Sequence, residues 1–167
     1  MWIALINREP GSFESCKYVI EMAQKGEVEI WTSAFTYAEV FKRRCHNESC
    51  GISPQDDTNF EDYLTQGFIT LIQVDRDVGI AARRLLRNNP KLGKPQDAIH
   101  LASALLENLD ELHTFDREDL LALNNKIACP NGVPLKICHL PKPPDPDKGT
   151  LFEGLKDDKS ENIEKTG

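Results

Sequence analysis

The chain has 167 residues, of which 40% are hydrophobic and 28% are charged, and its net charge is −7. These values are typical of one globular domain with a substantial core. The negative charge argues against indiscriminate binding of nucleic acid through a global field. No segment approaches the roughly 18 consecutive apolar residues of a membrane-spanning helix, and no signal peptide is recognisable. We therefore expect a soluble, cytoplasmic protein without membrane association.

Helical and strand patterns alternate along the chain, after an apolar stretch at residues 2–6. The predicted helices are, in order, residues 13–25, 33–44, 60–66, 75–88 and 97–106, with a further helix after residue 116. The predicted strands are residues 28–32, 68–74, 111–115 and 135–140. In the helix at 75–88 the residues expected to point inward are Val78, Ile80, Ala81 and Leu85. Such alternation indicates an α/β sandwich around a largely parallel sheet.

The stretch from residue 95 to residue 121 is the one around which we expect the fold to be organised. Seven of the ten residues from Asp97 to Leu106 are Ala, Ile or Leu, which is typical of a helix inside a domain. Asp97, His100 and Ser103 are its polar exceptions, and their spacing places them on one helix face. The next strand delivers Asp116 at its end. Two carboxylates are thus presented at one edge of the predicted sheet.

Carboxylates are the candidates for chemistry: Glu39, Asp97 and Asp116, with Asp119 in reserve. In an α/β sheet, functional sites form beyond the carboxyl ends of the strands, which is where the pattern places these residues. Three carboxylates that converge there repel one another unless a hard divalent cation lies among them. Mg²⁺ or Mn²⁺ held in this way can activate water and clamp a phosphodiester.

Each acid also has a purely structural explanation. Asp97 suits a helix start, where the helix dipole favours negative charge, and Asp116 can cap the next helix. Glu39 can pair with Arg43 or form a capping box with Thr36. His100 likewise either assists catalysis or is a hydrogen-bonded structural histidine. Spacing alone leaves these alternatives open.

Basic residues and cysteines complete the set of candidates. Four arginines can track an RNA backbone, although a solvated helix face explains them equally well; they are Arg43, Arg83, Arg84 and Arg87. The five cysteines are odd in number, which indicates reduced thiols. The Cys-His pairs at 45–46 and 138–139 lack a C-x₂-C spacing, so loop thiols explain them better than zinc does.

Two segments resemble motifs of the PIN-domain ribonucleases, the family of VapC-type toxins. They are VEIWTSAFTYAEVFKRR and KPQDAIHLASALLENLDELHTFDREDL. The resemblance runs from the first residues to about Leu140, and it is specific where DAIHLASAL leads through a strand into TFD. It implies a three-layer α/β/α sandwich that cuts RNA with Mg²⁺ or Mn²⁺. The implied ligands are Glu39, Asp97 and Asp116, with Thr114 as the supporting hydroxyl.

The function that this resemblance implies is that of a metal-dependent endoribonuclease, the toxin of a type II toxin–antitoxin pair. Such an enzyme hydrolyses RNA phosphodiesters with a metal-activated water. The resemblance also implies a homodimer, and an antitoxin protein whose C-terminal segment covers the acidic site. The alternative is a catalytically inactive PIN-like binding module, or a truncated gene product.

One departure from the family concerns the beginning of the chain. PIN domains normally open with a hydrophobic strand that ends in an Asp, and here Met1 stands where that strand should already have finished. We therefore expect the first strand and its Asp to be encoded upstream, and the chain as given to fold poorly and lack activity. Residues 1–140 are predicted to form the PIN-like domain. Residues 141–167, rich in proline and charge, are predicted to be a disordered tail.

Overall fold

A computed structural model of the protein describes residues 1–40, 42–45, 48–51 and 53–144, with the side chains of 1–40 and 53–144. The helices are α1 (Trp2–Ile6), α2 (Phe13–Gln24), α3 (Thr36–Glu39), α4 (Pro54–Leu64), α5 (Arg76–Asn88) and α6 (Pro95–Leu106). The strands are β1 (Ile30–Ser33), β2 (Lys42–Cys45), β3 (Glu48–Gly51), β4 (Ile69–Ile72), β5 (Glu111–His113) and β6 (Lys136–Cys138). The predicted α/β class is confirmed. None of the described helices is long and apolar enough to cross a membrane.

The parallel strands form two separate pairs. β1 pairs with β4, with Ile30 opposite Ile69, and β5 pairs with β6, with Glu111 opposite Lys136. β2 and β3 form an antiparallel hairpin. Among the described residues neither β1 nor β5 has a second strand partner. A cleft of about 1350 Å³ is lined by residues of both β1 and β5, so it separates the two parallel pairs.

Each strand pair has its own hydrophobic core. The first core packs α1, α2 and α4 against β1 and β4, and it includes the fully buried Cys16. The second packs α5 and α6 against β5 and β6, around Leu101, Leu135 and Ile137. α6 contacts α5, β1 and β5. The apolar run recognised in the sequence therefore makes α6 the element that joins the two halves.

Several predicted elements agree with the structure, and others are wrong. The helices predicted at 13–25, 75–88 and 97–106 are confirmed to within two residues. The helix predicted at 33–44 ends at Glu39 instead, because the residues that follow it pair as the β2–β3 hairpin. Backbone pairing in tertiary structure commonly overrides helix propensity, which is a weak determinant.

Three smaller corrections have local causes. α4 begins at Pro54 rather than at residue 60, because Ser53 Oγ accepts the Asp56 N–H at 3.1 Å and proline suits the first helical position. The segment after residue 116 forms turns and a 3₁₀ helix at Leu121–Leu123 instead of an α-helix. Ile80, predicted to point inward, is 37% exposed, because α5 turns Val78 and Ala82 toward the core. The predicted tail lies outside the described residues from position 145 onward.

Candidate active site

Three carboxylates meet where the first turn of α6 approaches the end of β5. Asp97 lies in that first turn, and Asp116 and Asp119 follow β5. One carboxylate oxygen from each lies within 4.8 Å of the others. Their side chains are 20–24% exposed. We call these three residues the acid cluster; it unites two of the predicted ligands with the reserve acid.

Asp116 is held by the turn that it begins. Its Oδ1 accepts the backbone N–H groups of Glu118 at 3.0 Å and Asp119 at 2.9 Å. Thr114, predicted as the supporting hydroxyl, accepts the Asp116 N–H on its Oγ1 at 3.0 Å. The Asp119 N–H and the ammonium of Lys94 together hold the pKa of Asp116 below its usual value. Asp116 therefore caps a turn with one oxygen and keeps the other, Oδ2, for the acid cluster.

The ammonium of Lys94 lies among the three acids. Its Nζ is 3.0 Å from Asp116 Oδ2, 3.5 Å from Asp119 Oδ2 and 3.8 Å from Asp97 Oδ2. The hydrogen bond to Asp116 is the main cause that raises the pKa of Lys94. Lys94 precedes α6 as its N-cap residue. One positive charge thus partly balances three negative ones, and it marks a place where the protein favours a cation.

Asp97 carries the clearest sign of an incomplete environment. Its Oδ2 is buried and accepts no hydrogen bond from the described residues. Burial is the largest cause that raises the pKa of Asp97; the charge of Lys94 opposes this shift, and the charges of Asp116 and Asp119 add to it. A buried carboxylate oxygen without a donor is costly, and a hard cation with oxygen ligands would satisfy it. The acid cluster therefore fits the divalent metal that the resemblance implies.

Glu39 lies outside the acid cluster. It is the last residue of α3, and its Oε2 is 2.5 Å from His100 Nε2, one turn along α6 from Asp97. The helix ends before residue 43, so Glu39 and Arg43 do not share a face of α3. Glu39 and Asp97 nevertheless line the same cleft. The contact with His100 therefore fixes Glu39 beside the acid cluster without making it a member.

Buried hydroxyl groups position α3, and with it Glu39. Thr32 Oγ1 accepts the indole N–H of Trp2 at 3.0 Å and lies 3.0 Å from Thr36 Oγ1. Ser33 Oγ accepts the Phe35 N–H at 3.2 Å. These contacts turn the chain sharply from β1 into α3. The carboxylate of Glu39, in the helix that follows β1, thereby faces α6.

The predicted RNA-binding arginines do not gather at this site. Arg83, Arg84 and Arg87 are exposed on α5, and none of them is among the residues that line the cleft. Arg43 belongs to β2, and its side chain lies outside the described part of the structure. Lys94 is the cation that the structure places at the acids. Sequence analysis named four arginines and not Lys94, although the i,i+3 spacing of Lys94 to Asp97 is a local signal.

Comparison with known proteins gives one finding. The model of the PIN domain family matches residues 1–124, a range that contains Glu39 and all of the acid cluster. PIN domains are generally nucleases that use divalent metals, so the match supports a hydrolytic function of the nuclease type. No curated protein and no solved structure matches the chain.

Proposed function

The chain belongs to the PIN-domain family, and on that premise we propose that it is a metal-dependent endoribonuclease, the toxin of a type II toxin–antitoxin pair. The observation that carries this proposal is the acid cluster, in which three carboxylates share one space with a single lysine. Its all-oxygen donor set suits Mg²⁺ or Mn²⁺. We also propose an antitoxin partner and a homodimer, which the resemblance implies, and a cytoplasmic location, which the cysteine usage indicates.

Each acidic residue of the site would have a distinct role. Asp97 and Asp116 would hold the ion, with Asp119 as the third oxygen donor. When bound, Mg²⁺ or Mn²⁺ activates water and stabilises charge on a phosphodiester. Glu39, oriented by His100, would approach the same cleft from the β1 side. This arrangement would bring Glu39 and Asp97 to the same cleft, beside the bound ion.

Lys94 would change its role when the acids are neutralised. The ammonium of Lys94 lies 3.0–3.8 Å from the carboxylate oxygens of the three acids. A divalent ion would weaken that attraction, because it supplies the positive charge itself. The side chain of Lys94 is 60% exposed, so its ammonium would be free to bind a phosphate oxygen of the RNA. Lys94 would then bind the substrate when the metal is bound, and would offset the charge of the acid cluster when it is not.

The cleft between β1 and β5 lies where the expected first strand would pair with both of them. Both strands present an edge without a partner among the described residues, and Met1 itself lines the cleft. We propose that this cleft accepts one further parallel strand, of the kind that the resemblance predicts. An Asp at the carboxyl end of such a strand would reach the edge where Asp116 lies, since parallel strands share that edge. A version extended at its N-terminus by an apolar strand ending in Asp tests this: solubility and cleavage should rise together, and no change in either would contradict it.

Cleavage of single-stranded RNA by the purified chain, in the version extended at its N-terminus, tests the proposed activity. We expect cleavage that requires Mg²⁺ or Mn²⁺ and is lost in Asp97→Asn. Asp62→Asn is the matched control, because it removes an exposed carboxylate from α4, away from the acid cluster. Cleavage in the presence of a chelator, or equal rates for Asp97→Asn and the parent, would contradict the proposal.

A second candidate function is an inactive PIN-like binding module. The position of Lys94 favours it, because an ammonium among the acids partly replaces the charge of a metal. A binding module should bind RNA or its protein partner with the same affinity when Asp97 is changed to Asn. It should also show no cleavage with Mn²⁺, even in the version extended at the N-terminus. Those two results together would support the binding module and contradict the enzyme.

A further inference from the structure

A second group of polar side chains lies on the β5–β6 pair. Glu111 and His113 are two residues apart on β5, so their side chains share one face of the strand. Cys138 lies opposite His113 on β6. One ligand atom from each of the three lies within 4.8 Å of the others. We call these three residues the mixed cluster, because it offers nitrogen, sulfur and oxygen.

The distances within the mixed cluster are close to those of a tetrahedral zinc site. His113 Nε2 lies 2.9 Å from Glu111 Oε2, and Cys138 Sγ lies 3.5 Å from the same oxygen. Tetrahedral zinc with ordinary bond lengths separates nitrogen and oxygen ligands by roughly 3.3 Å, and sulfur and oxygen ligands by roughly 3.5 Å. The sulfur–oxygen spacing is already right. The nitrogen–oxygen spacing needs to open by a few tenths of an ångström.

Lys136 prepares the carboxylate for such a role. Its Nζ lies 2.6 Å from Glu111 Oε1, which leaves Oε2 directed at the histidine and the thiol. The hydrogen bonds from Lys136 and His113 lower the pKa of Glu111 to about 2. Lys136 is therefore an outer partner that orients the carboxylate, as in established metal sites.

We propose that Glu111, His113 and Cys138 form a binding site for a zinc-class divalent ion, with three protein ligands and an open fourth position. All three residues line the cleft between β1 and β5. The ligand types separate this site from the acid cluster, because thiolate and imidazole select zinc-like ions while carboxylates alone suit Mg²⁺ and Mn²⁺. An ion held here would tie β5 to β6 at the wall of the cleft. This site does not depend on the proposed nuclease activity.

Cobalt spectroscopy on the reduced 167-residue chain tests the proposal. Co²⁺ replaces zinc in such sites, and a bound thiolate gives a charge-transfer absorption that carboxylate sites lack. We expect one equivalent of Co²⁺ to produce this absorption and one equivalent of Zn²⁺ to remove it. Cys138→Ala should abolish the signal, and Cys129→Ala is the matched control, since it also removes one free thiol from this half of the molecule.

Two further variants keep the test decisive. His113→Gln changes a side chain that is 27% exposed, so it should weaken Co²⁺ binding at least tenfold even if the cysteine variant does not fold. Asp97→Asn should leave the signal unchanged, which separates the mixed cluster from the acid cluster. No charge-transfer absorption in the parent, or equal absorption in parent and Cys138→Ala, would show that Lys136, Glu111 and His113 form only a surface ion-pair network.

Discussion

The acid cluster and the mixed cluster have the same composition in outline, three ligand side chains and one lysine, but they differ in charge balance. Each gathers three ligand side chains and places a lysine ammonium on a carboxylate, at 3.0 Å in one and 2.6 Å in the other. In the acid cluster burial raises the pKa of Asp97, whereas in the mixed cluster Lys136 and His113 lower the pKa of Glu111 to about 2. The first cluster is short of positive charge, and the second is already balanced. A binding site for a hard cation is therefore the better explanation of the first.

The backbone beneath each cluster explains this difference. The acid cluster is built on a helix start and a turn, where free N–H groups hold one oxygen of Asp116 and stabilise its charge. The mixed cluster is built on two paired strands, where register alone brings His113 to Cys138. Turns and helix starts can gather like charges because their N–H groups offset repulsion. Paired strands instead gather whichever side chains the register makes neighbours.

The largest expected effect separates the capping role of Asp116 from its role in the acid cluster. Asp116→Asn keeps the turn, because Asn caps about as well as Asp. If the free oxygen serves the metal, RNA cleavage should fall more than roughly 100-fold, beyond the cost of losing an outer partner. The melting temperature without metal should fall slightly at neutral pH, since the lowered pKa of Asp116 means that the Asp119 N–H and Lys94 stabilise its charge. A variant that cleaves RNA at the parental rate would make Asp116 a cap only.

The next effect concerns His100, which joins Glu39 to α6. His100→Gln should reduce cleavage by roughly 10–100-fold, the usual cost of removing a partner that orients a reactive group. Mn²⁺ affinity should change little, because the three members of the acid cluster remain. Kinetics at saturating metal, together with a Mn²⁺ titration, measure the two quantities separately. An equal loss in both would place Glu39 among the ligands instead.

Lys94 offers a smaller effect with the opposite sign. Lys94→Gln removes the ammonium that competes with a metal, so Mn²⁺ affinity should rise by about tenfold, or about 1.4 kcal/mol. The metal-free variant should melt at a lower temperature than the parent, because three carboxylates then repel one another. Lys91→Gln is the matched control, as Lys91 makes no ion pair within the described ranges. Weaker Mn²⁺ binding in Lys94→Gln would contradict the competition.

The smallest effect is the pH dependence of Glu111 in the presence of a chelator. Its folded pKa, about 2, lies below the ordinary value of 4.5, so its contribution to stability is present above pH 4.5 and is lost as pH falls toward 2. Glu111→Gln should lower the melting temperature by a few degrees at pH 7, since a pair this exposed contributes about 0.2–1 kcal/mol. The difference between parent and variant should disappear near pH 2. A difference that persists there would require another cause.

Sequence analysis recovered what local pattern determines. The apolar run of α6 identified the central helix, and the strand that follows it placed Asp116 near Asp97. The hairpin of β2 and β3 was missed, because the pairing of these two strands outweighs helix propensity, which is a weak determinant. The contact between Glu39 and His100 was also missed, since 61 residues separate them. No local spacing records such a contact.

The mixed cluster, too, could not be found from local spacing in the sequence. A search for C-x₂-C spacing gave no zinc site, because the ligand atoms come from two strands that lie far apart in sequence. Only the parallel register of β5 and β6 makes Glu111, His113 and Cys138 neighbours. Alternation along a strand indicates which face a side chain occupies, but not which strand lies beside it.

Calorimetric titration of Mn²⁺ into the chelator-treated chain tests the central claim, that the acid cluster is a metal site. We expect one Mn²⁺ per chain, with binding lost in Asp97→Asn and unchanged in Cys138→Ala. Binding should also raise the melting temperature of the parent, in proportion to ln(1 + [Mn²⁺]/Kd), and leave that of Asp97→Asn unchanged. No binding at millimolar Mn²⁺ by the folded parent, or equal binding by parent and Asp97→Asn, would contradict the claim.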